Sequence, residues 1–321
     1  MAALGAASCG GDPPARPTPA TDPPRLVCPQ PVTARSRDGE PLAITYPDAS
    51  VVGGQSPMTM LCEPRSSELF PVGETVVTCR VSDSQTRTDG CTFIVMVEPP
   101  PRIVATRYIA FGDSISDGVL GFVPYAVGDP GPPVGYAFKL RTLLEERYTA
   151  QTFSVTDEGV AGERIARGMT RLPGVLSRDM PEVAMLFEGI NDLNGGREAV
   201  IPEVVGGLRS MVRTIRARGM AALVATFLPQ RPRGQRALAV NTIVAANDQV
   251  RAMVSAEGAV LVDLYRAFEG NVDTLIGPDG LHPTEEGYQK IADTFFEVIR
   301  ERLEERIAST SRRFSTAPRR R

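Results

Sequence analysis

All five cysteines of the chain, Cys9, Cys28, Cys62, Cys79 and Cys91, precede residue 92, and the long remainder to Arg321 holds none. That distribution constrains the fold more than any other feature. Small domains short of core lean on disulfides, whereas a larger body buries enough apolar surface to do without them. With 321 residues there is room for two such bodies. Cys28, Cys62, Cys79 and Cys91 share a segment of short β-type runs, among them Leu42–Tyr46, Thr75–Cys79 and Thr92–Val97, separated by Gly, Pro, Asp and Ser clusters. An even set in so short a β-rich stretch points to two disulfides and an oxidising compartment, with three connectivities open. The rival, a zinc site of four cysteines, lacks any Cys-x-x-Cys pair.

The flanks read differently. Small residues running into Cys9 resemble the lipobox of bacterial lipoproteins, which would make Cys9 a lipidation site and membrane anchor. A ragged chain start is the competing reading. Eight prolines between residues 11 and 31 leave an extended linker without a core. The expected organisation is therefore 1–25 leader and linker, 26–98 β-sandwich, 99–105 Pro-rich hinge, 106–307 a second domain, and 308–321 a basic tail too polar to pack.

The segment 26–98 resembles the HYR (hyalin repeat) module. The resemblance rests on Glu68–Cys79, on Val81-Ser82-Asp83, and on Cys91–Val97. It implies an all-β immunoglobulin-like sandwich serving as an extracellular spacer or as a binding surface for a partner at the cell surface.

Beyond residue 102, short apolar runs alternate with helical spacing, the signal of a parallel α/β sheet. The pattern predicts strands at Tyr108–Phe111, Thr152–Val155, Val183–Phe187, Ala222–Phe227 and Val260–Asp263. Helical stripes run from Ile201 to Ile215 and from Tyr288 to Leu303. Such sheets carry their function past the carboxyl ends of the strands. Gly112-Asp113-Ser114, Glu158–Glu163, Gly189-Ile190-Asn191-Asp192 and Asp279–Pro283 all fall there.

Chemistry narrows the set. A serine hydroxyl needs a neighbouring base to become a nucleophile, and His282 is the one histidine of the chain. Asp279, three residues before it, is placed to orient the ring as the third member of a Ser114–His282–Asp279 triad. Candidate oxyanion donors are the backbone NH of Ser114, the backbone NH of Gly162 and the side-chain amide of Asn191. Asp113 and Asp192 are candidates for substrate binding or support. So are Phe122 and Tyr125, in the apolar segment Val119–Gly128 that follows the nucleophile. The arginines of Pro229–Arg236 are placed to meet an anionic or sugar substrate, or water. With a single histidine no metal-ligand set is visible, and no metal or other cofactor is expected.

In this order, the four blocks Phe111–Ile115, Gly159–Glu163, Gly189–Asp192 and Asp279–Thr284 resemble those of the SGNH/GDSL hydrolases. The resemblance covers about residues 106–305. It implies a three-layer flavodoxin-like α/β fold with a five-stranded parallel sheet, serine esterase chemistry, and the roles named above. Asp157 departs from it, since many members carry Asn there, and a supporting hydrogen bond is affected. The Gly-x-Ser-x-Gly elbow of α/β-hydrolases is not matched, because Ser116 replaces its second glycine.

Charge excludes other classes. With 35 basic and 38 acidic side chains, net charge −3, nothing attracts nucleic acid, and no apolar run reaches the length of a membrane helix. The expected partner is a small-molecule or glycan ester, met outside the cytoplasm by a secreted or lipid-anchored enzyme. Carbohydrate O-acetyl and short-chain acyl esters lead. Lysophospholipids and thioesters, or a non-catalytic adhesion or carbohydrate-binding role, are the alternatives. The sequence sets no oligomeric state.

Overall fold

A computed structural model describes residues 22–121, 135–195 and 198–305. Cys9, Phe122, Tyr125 and the tail from 306 lie outside them. The chain separates into two units, divided between Pro99 and Pro100.

In the N-terminal unit the two long strands, Gly73–Ser82 and Thr88–Glu98, show the period-two burial of a sheet with one face inward. Val77, Cys79 and Val81 are buried on one, Phe93, Val95 and Val97 on the other. They form the middle of a four-stranded sheet, flanked by Thr59–Glu63 and, in parallel, by Val32–Arg35. Two short antiparallel pairs, Arg25–Val27 with Ser50–Val52 and Leu42–Ala43 with Leu69–Phe70, accompany that sheet. Tyr46 lies edge-on to both Phe70 and Phe93 in the core. The run predicted over Leu42–Tyr46 is a strand only at Leu42–Ala43. Ile44 still pairs through backbone with Ser67 and Glu68, but at Tyr46 the Ser66 hydroxyl replaces the strand partner, and the ladder stops. The cysteines form two disulfides, Cys28–Cys91 and Cys62–Cys79.

The C-terminal unit contains five parallel strands: β1 Arg107–Gly112, β2 Ser154–Gly159, β3 Val183–Phe187, β4 Ala221–Ala225 and β5 Val260–Val262. Their order across the sheet is β2-β1-β3-β4-β5, a flavodoxin-like winding that reverses direction between β1 and β3. The central strands are buried on both faces, and every residue of β3 is inaccessible. The expected Thr152–Val155 strand is displaced: β2 runs on through Thr156, Asp157, Glu158 and Gly159. As an edge strand it is half-exposed, so it tolerates polar residues that a central strand would not, and the apolar pattern hides its extent.

Helices α1 Tyr136–Arg147, α2 Ile165–Asp179, α3 Ile190–Gly195, α4 Ile201–Arg216, α5 Ile243–Glu257, α6 Leu264–Phe268, α7 Val272–Leu275 and α8 Glu285–Leu303 complete the unit. α1 packs on α8, while α2 and α5 both pack on α4. The two predicted stripes coincide with α4 and α8, whose buried sides include Val204, Leu208, Met211 and Ile215, and Tyr288, Ile291, Phe295 and Ile299. Among the described residues no helix is long and apolar enough to cross a membrane.

Candidate active site

The end of β1 meets the end of β3 so closely that only glycine fits at 112. A Cβ there would stand 2.1 Å from the carbonyl oxygen of Phe187. The chain then turns sharply, with the amide of Asp117 donating to the carbonyl of Asp113 and that of Val119 to the carbonyl of Ser114, both at 3.0 Å. Ser114 is thereby carried to the β1/β3 reversal, where the winding of such a sheet opens a crevice.

His282 arrives from the other end of the chain. Thr284, two residues later, caps α8 by accepting from the amide of Gly287, and its own hydroxyl donates to the carbonyl of Thr274. Tyr288 in the first turn of α8 donates to the carbonyl of Val119 at 2.6 Å, and the amide of Gly121 donates to that of Pro283 at 3.3 Å. These bonds tie the loop after Ser114 to the loop around His282. Ser114 Oγ stands 2.8 Å from His282 Nε2, and His282 Nδ1 stands 2.6 Å from Asp279 Oδ2. The other Asp279 oxygen accepts the amides of Leu281 and His282, both at 3.0 Å. Burial opposes ionisation of Asp279, but the imidazole and the two amides outweigh it and hold the carboxyl below its usual range.

Gly162 adopts φ +76°, a backbone geometry costly for other residues, and a Cβ there would meet nothing within 4 Å among the described residues. Asn191, at the start of α3, donates one amide hydrogen to the carbonyl of Glu163 at 2.9 Å, which ties its side chain to the Gly162 loop. The second hydrogen of that amide is not used in this bond.

Asp113 is buried, and its carboxylate accepts the amides of Ile115 and Ile190. Burial, with Glu163 and Asp192 nearby, pushes its pKa up to about 7. Asp192 accepts the amide of Ile165 at 2.9 Å, capping α2 from another helix, since the N-cap residue Arg164 makes no side-chain bond of that kind. Both aspartates thus support the backbone that carries Ser114, Gly162 and Asn191. Asp157 accepts the amide of Gly159 at 2.8 Å. Arg236 Nε lies 4.0 Å from Asp279, and its carbonyl accepts from Asn194 of α3, so part of the arginine-bearing loop borders the site. Phe122 and Tyr125 are outside the described residues.

Two residues escape the sequence motifs. Glu188 is buried between β3 and Gly189, and Arg171 of α2 binds Glu163 through both Nε and Nη2 while stacking over Phe111. A charged residue directly after the wholly apolar run Val183–Phe187 was the signal for Glu188. Among the described residues no group of three or more His, Cys, Asp or Glu side chains is arranged to hold a metal ion.

The fold and the serine–histidine–aspartate geometry are those of a serine-type hydrolase. The family model for the GDSL-like Lipase/Acylhydrolase family matches residues 110–290, and that for the HYR domain matches 19–97. The chain belongs to the GDSL-like lipase/acylhydrolase family and is a carboxylic ester hydrolase bearing an N-terminal HYR domain. Esterase TesA of Pseudomonas aeruginosa is 26% identical over 194 residues, which is 60% of this chain and 87% of that protein. The lipase/acylhydrolase of Enterococcus faecalis superposes with a TM-score of 0.52 at 20% identity, over 63% of this chain and all of that one. The lipase Lip_vut3 from a goat rumen metagenome gives 0.50 at 19% identity, over 60% and 97%. Two disulfides and an HYR domain suit an oxidising, extracellular setting.

Proposed function

We propose that the protein hydrolyses carboxylic esters through an acyl-enzyme on Ser114, with carbohydrate O-acetyl or short-chain acyl esters as substrates. The observation that carries this reading is the relay of 2.8 Å and 2.6 Å from Ser114 through His282 to Asp279. Ser114 Oγ attacks the ester carbon while His282 Nε2 takes its proton, and Asp279 stabilises the imidazolium that forms. The carbonyl electron pair moves onto oxygen and is met by the NH groups of Ser114 and Gly162 and the second amide hydrogen of Asn191. When the tetrahedral adduct collapses, the C–O bond to the alcohol breaks and His282 returns the proton to that leaving oxygen. Water then repeats the sequence against the acyl-enzyme and releases the acid. An extracellular setting favours glycan-borne esters.

Hydrolysis of a chromogenic acetate ester by the whole chain, compared with Ser114→Ala, tests the chemistry. The variant is expected to lose about 10⁴- to 10⁶-fold in kcat, and equal rates would exclude Ser114 as the nucleophile. A series from acetyl to palmitoyl esters, with acetylated xylan and a lysophospholipid alongside, tests the substrate class. Activity peaking on the longest chains or on the lysophospholipid would overturn the short-acyl assignment.

A further inference from the structure

The three segments that present oxyanion donors each carry a carboxyl group beside the donor, buried at Asp113 and Glu163 and half-buried at Asp192. Asp113 precedes Ser114, Glu163 follows Gly162 and Asp192 follows Asn191. All three act electrostatically on a fourth, Glu188, which directly precedes the Gly189–Asp192 block. The side chain of Glu188 is 1% exposed, and neither of its oxygens has a hydrogen-bond partner among the described residues. Its Cγ and Cδ lie against Gly168 of α2, where a Cβ would come within 3.5 Å of both, and Met211 of α4 meets the same point without charge. Arg171 is the cation that opposes these charges at Glu188, and its guanidinium is already committed to Glu163, at 2.5 Å from Nη2. A buried carboxylate with neither hydrogen bonds nor a counter-ion of its own is strongly disfavoured, and the group holds its proton instead.

We infer that Glu188 is a positioning residue kept as a neutral carboxylic acid, and that its neutrality holds the backbones of Ser114, Gly162 and Asn191 together. A negative charge on Glu188 would repel the carboxyls of Asp113, Glu163 and Asp192 that flank all three donors and spread the donors apart. The charge balance agrees: burial first, then Asp113 and Glu163, push the Glu188 pKa up to about 9, with Arg171 opposing. The pH limit for the donors is thus set by a residue that touches neither substrate nor the reacting atoms.

The effect on catalysis rests on the hydrolase reading above, whereas the protonation state of Glu188 does not, so two readouts separate them. In the full chain, kcat is expected to fall about tenfold per pH unit above the Glu188 transition with KM little changed. Glu188→Gln and Glu188→Met, which stay neutral, should lose that alkaline fall. An alkaline limb unchanged in both variants would overturn the positioning role. The second readout needs no activity. An acid whose pKa is higher folded than unfolded costs stability as pH rises between the two values, here from about 4.5 to about 9. The Tm advantage of Glu188→Gln over the natural chain should therefore widen across that window and level off above it. A difference independent of pH would show Glu188 ionised throughout and overturn the inference. If neither variant folds, a carboxyl-carbon NMR titration of the natural protein decides: a Glu188 transition well above neutrality supports it, and one in the ordinary glutamate range refutes it.

Discussion

In the N-terminal unit eleven buried apolar residues gather around two disulfides, whereas in the C-terminal unit more than fifty described residues form one core with no cysteine among them. The difference extends to buried charge. Among the described residues the larger unit buries the carboxyl-bearing Asp113, Glu163 and Glu188, while the smaller buries only Asp83, which Arg87 binds. Removing a carboxylate from water costs several kcal/mol unless it is compensated or stays protonated. A core of the larger size absorbs that cost, and one of the smaller size needs covalent ties merely to persist. Chemistry requiring strained or desolvated polar groups accordingly sits where apolar burial is in surplus.

The contrast can be broken at three points. The largest effect is expected from Asp279→Asn, which keeps the shape of the His282 loop but removes the charge that stabilises imidazolium. The fall in kcat should be about 10⁴-fold, read by ester hydrolysis, and a loss below tenfold would mean that His282 needs no orienting carboxylate. Next comes Cys28→Ala combined with Cys91→Ala, which opens a link between residues 63 apart. By loop entropy it should destabilise the N-terminal unit by about 4 kcal/mol in denaturant titration, with esterase rates unaltered. A parallel loss of activity would show that the two units are not independent in stability. The smallest is Asn191→Ala, expected to lower kcat by about 10²- to 10³-fold with KM nearly constant. A rise in KM alone would move Asn191 from oxyanion stabilisation to substrate binding.

Much of this arrangement could be read from residue order. Four polar blocks, each after a predicted strand, are what a parallel sheet gathers onto one edge, and Ser114, Asp279 and His282 met there as their chemistry required. The second strand was legible only in part because polar Thr156, Asp157 and Glu158 belong to a sheet edge, and apolar patterning reports burial rather than strand itself. Asp192 could not be read as the cap of α2, since its partner amide lies 27 positions away. Glu188 was not singled out by the motifs, and its lack of hydrogen-bond partners among the described residues is a property of the packed core. The disulfide pairing was likewise open: Cys79 lies opposite both Cys62 and Cys91 in its two ladders, and only the approach of Cys28 to Cys91 settles the choice.

Asp279 and His282 assemble within four consecutive residues, but their nucleophile comes from 168 positions earlier. A ribosome therefore finishes Ser114 long before it makes the base that activates it, and α8, which anchors that base, emerges later still. Until His282 and the helix behind it have been made, the growing polypeptide is chemically silent toward esters, and its competence waits on that later segment.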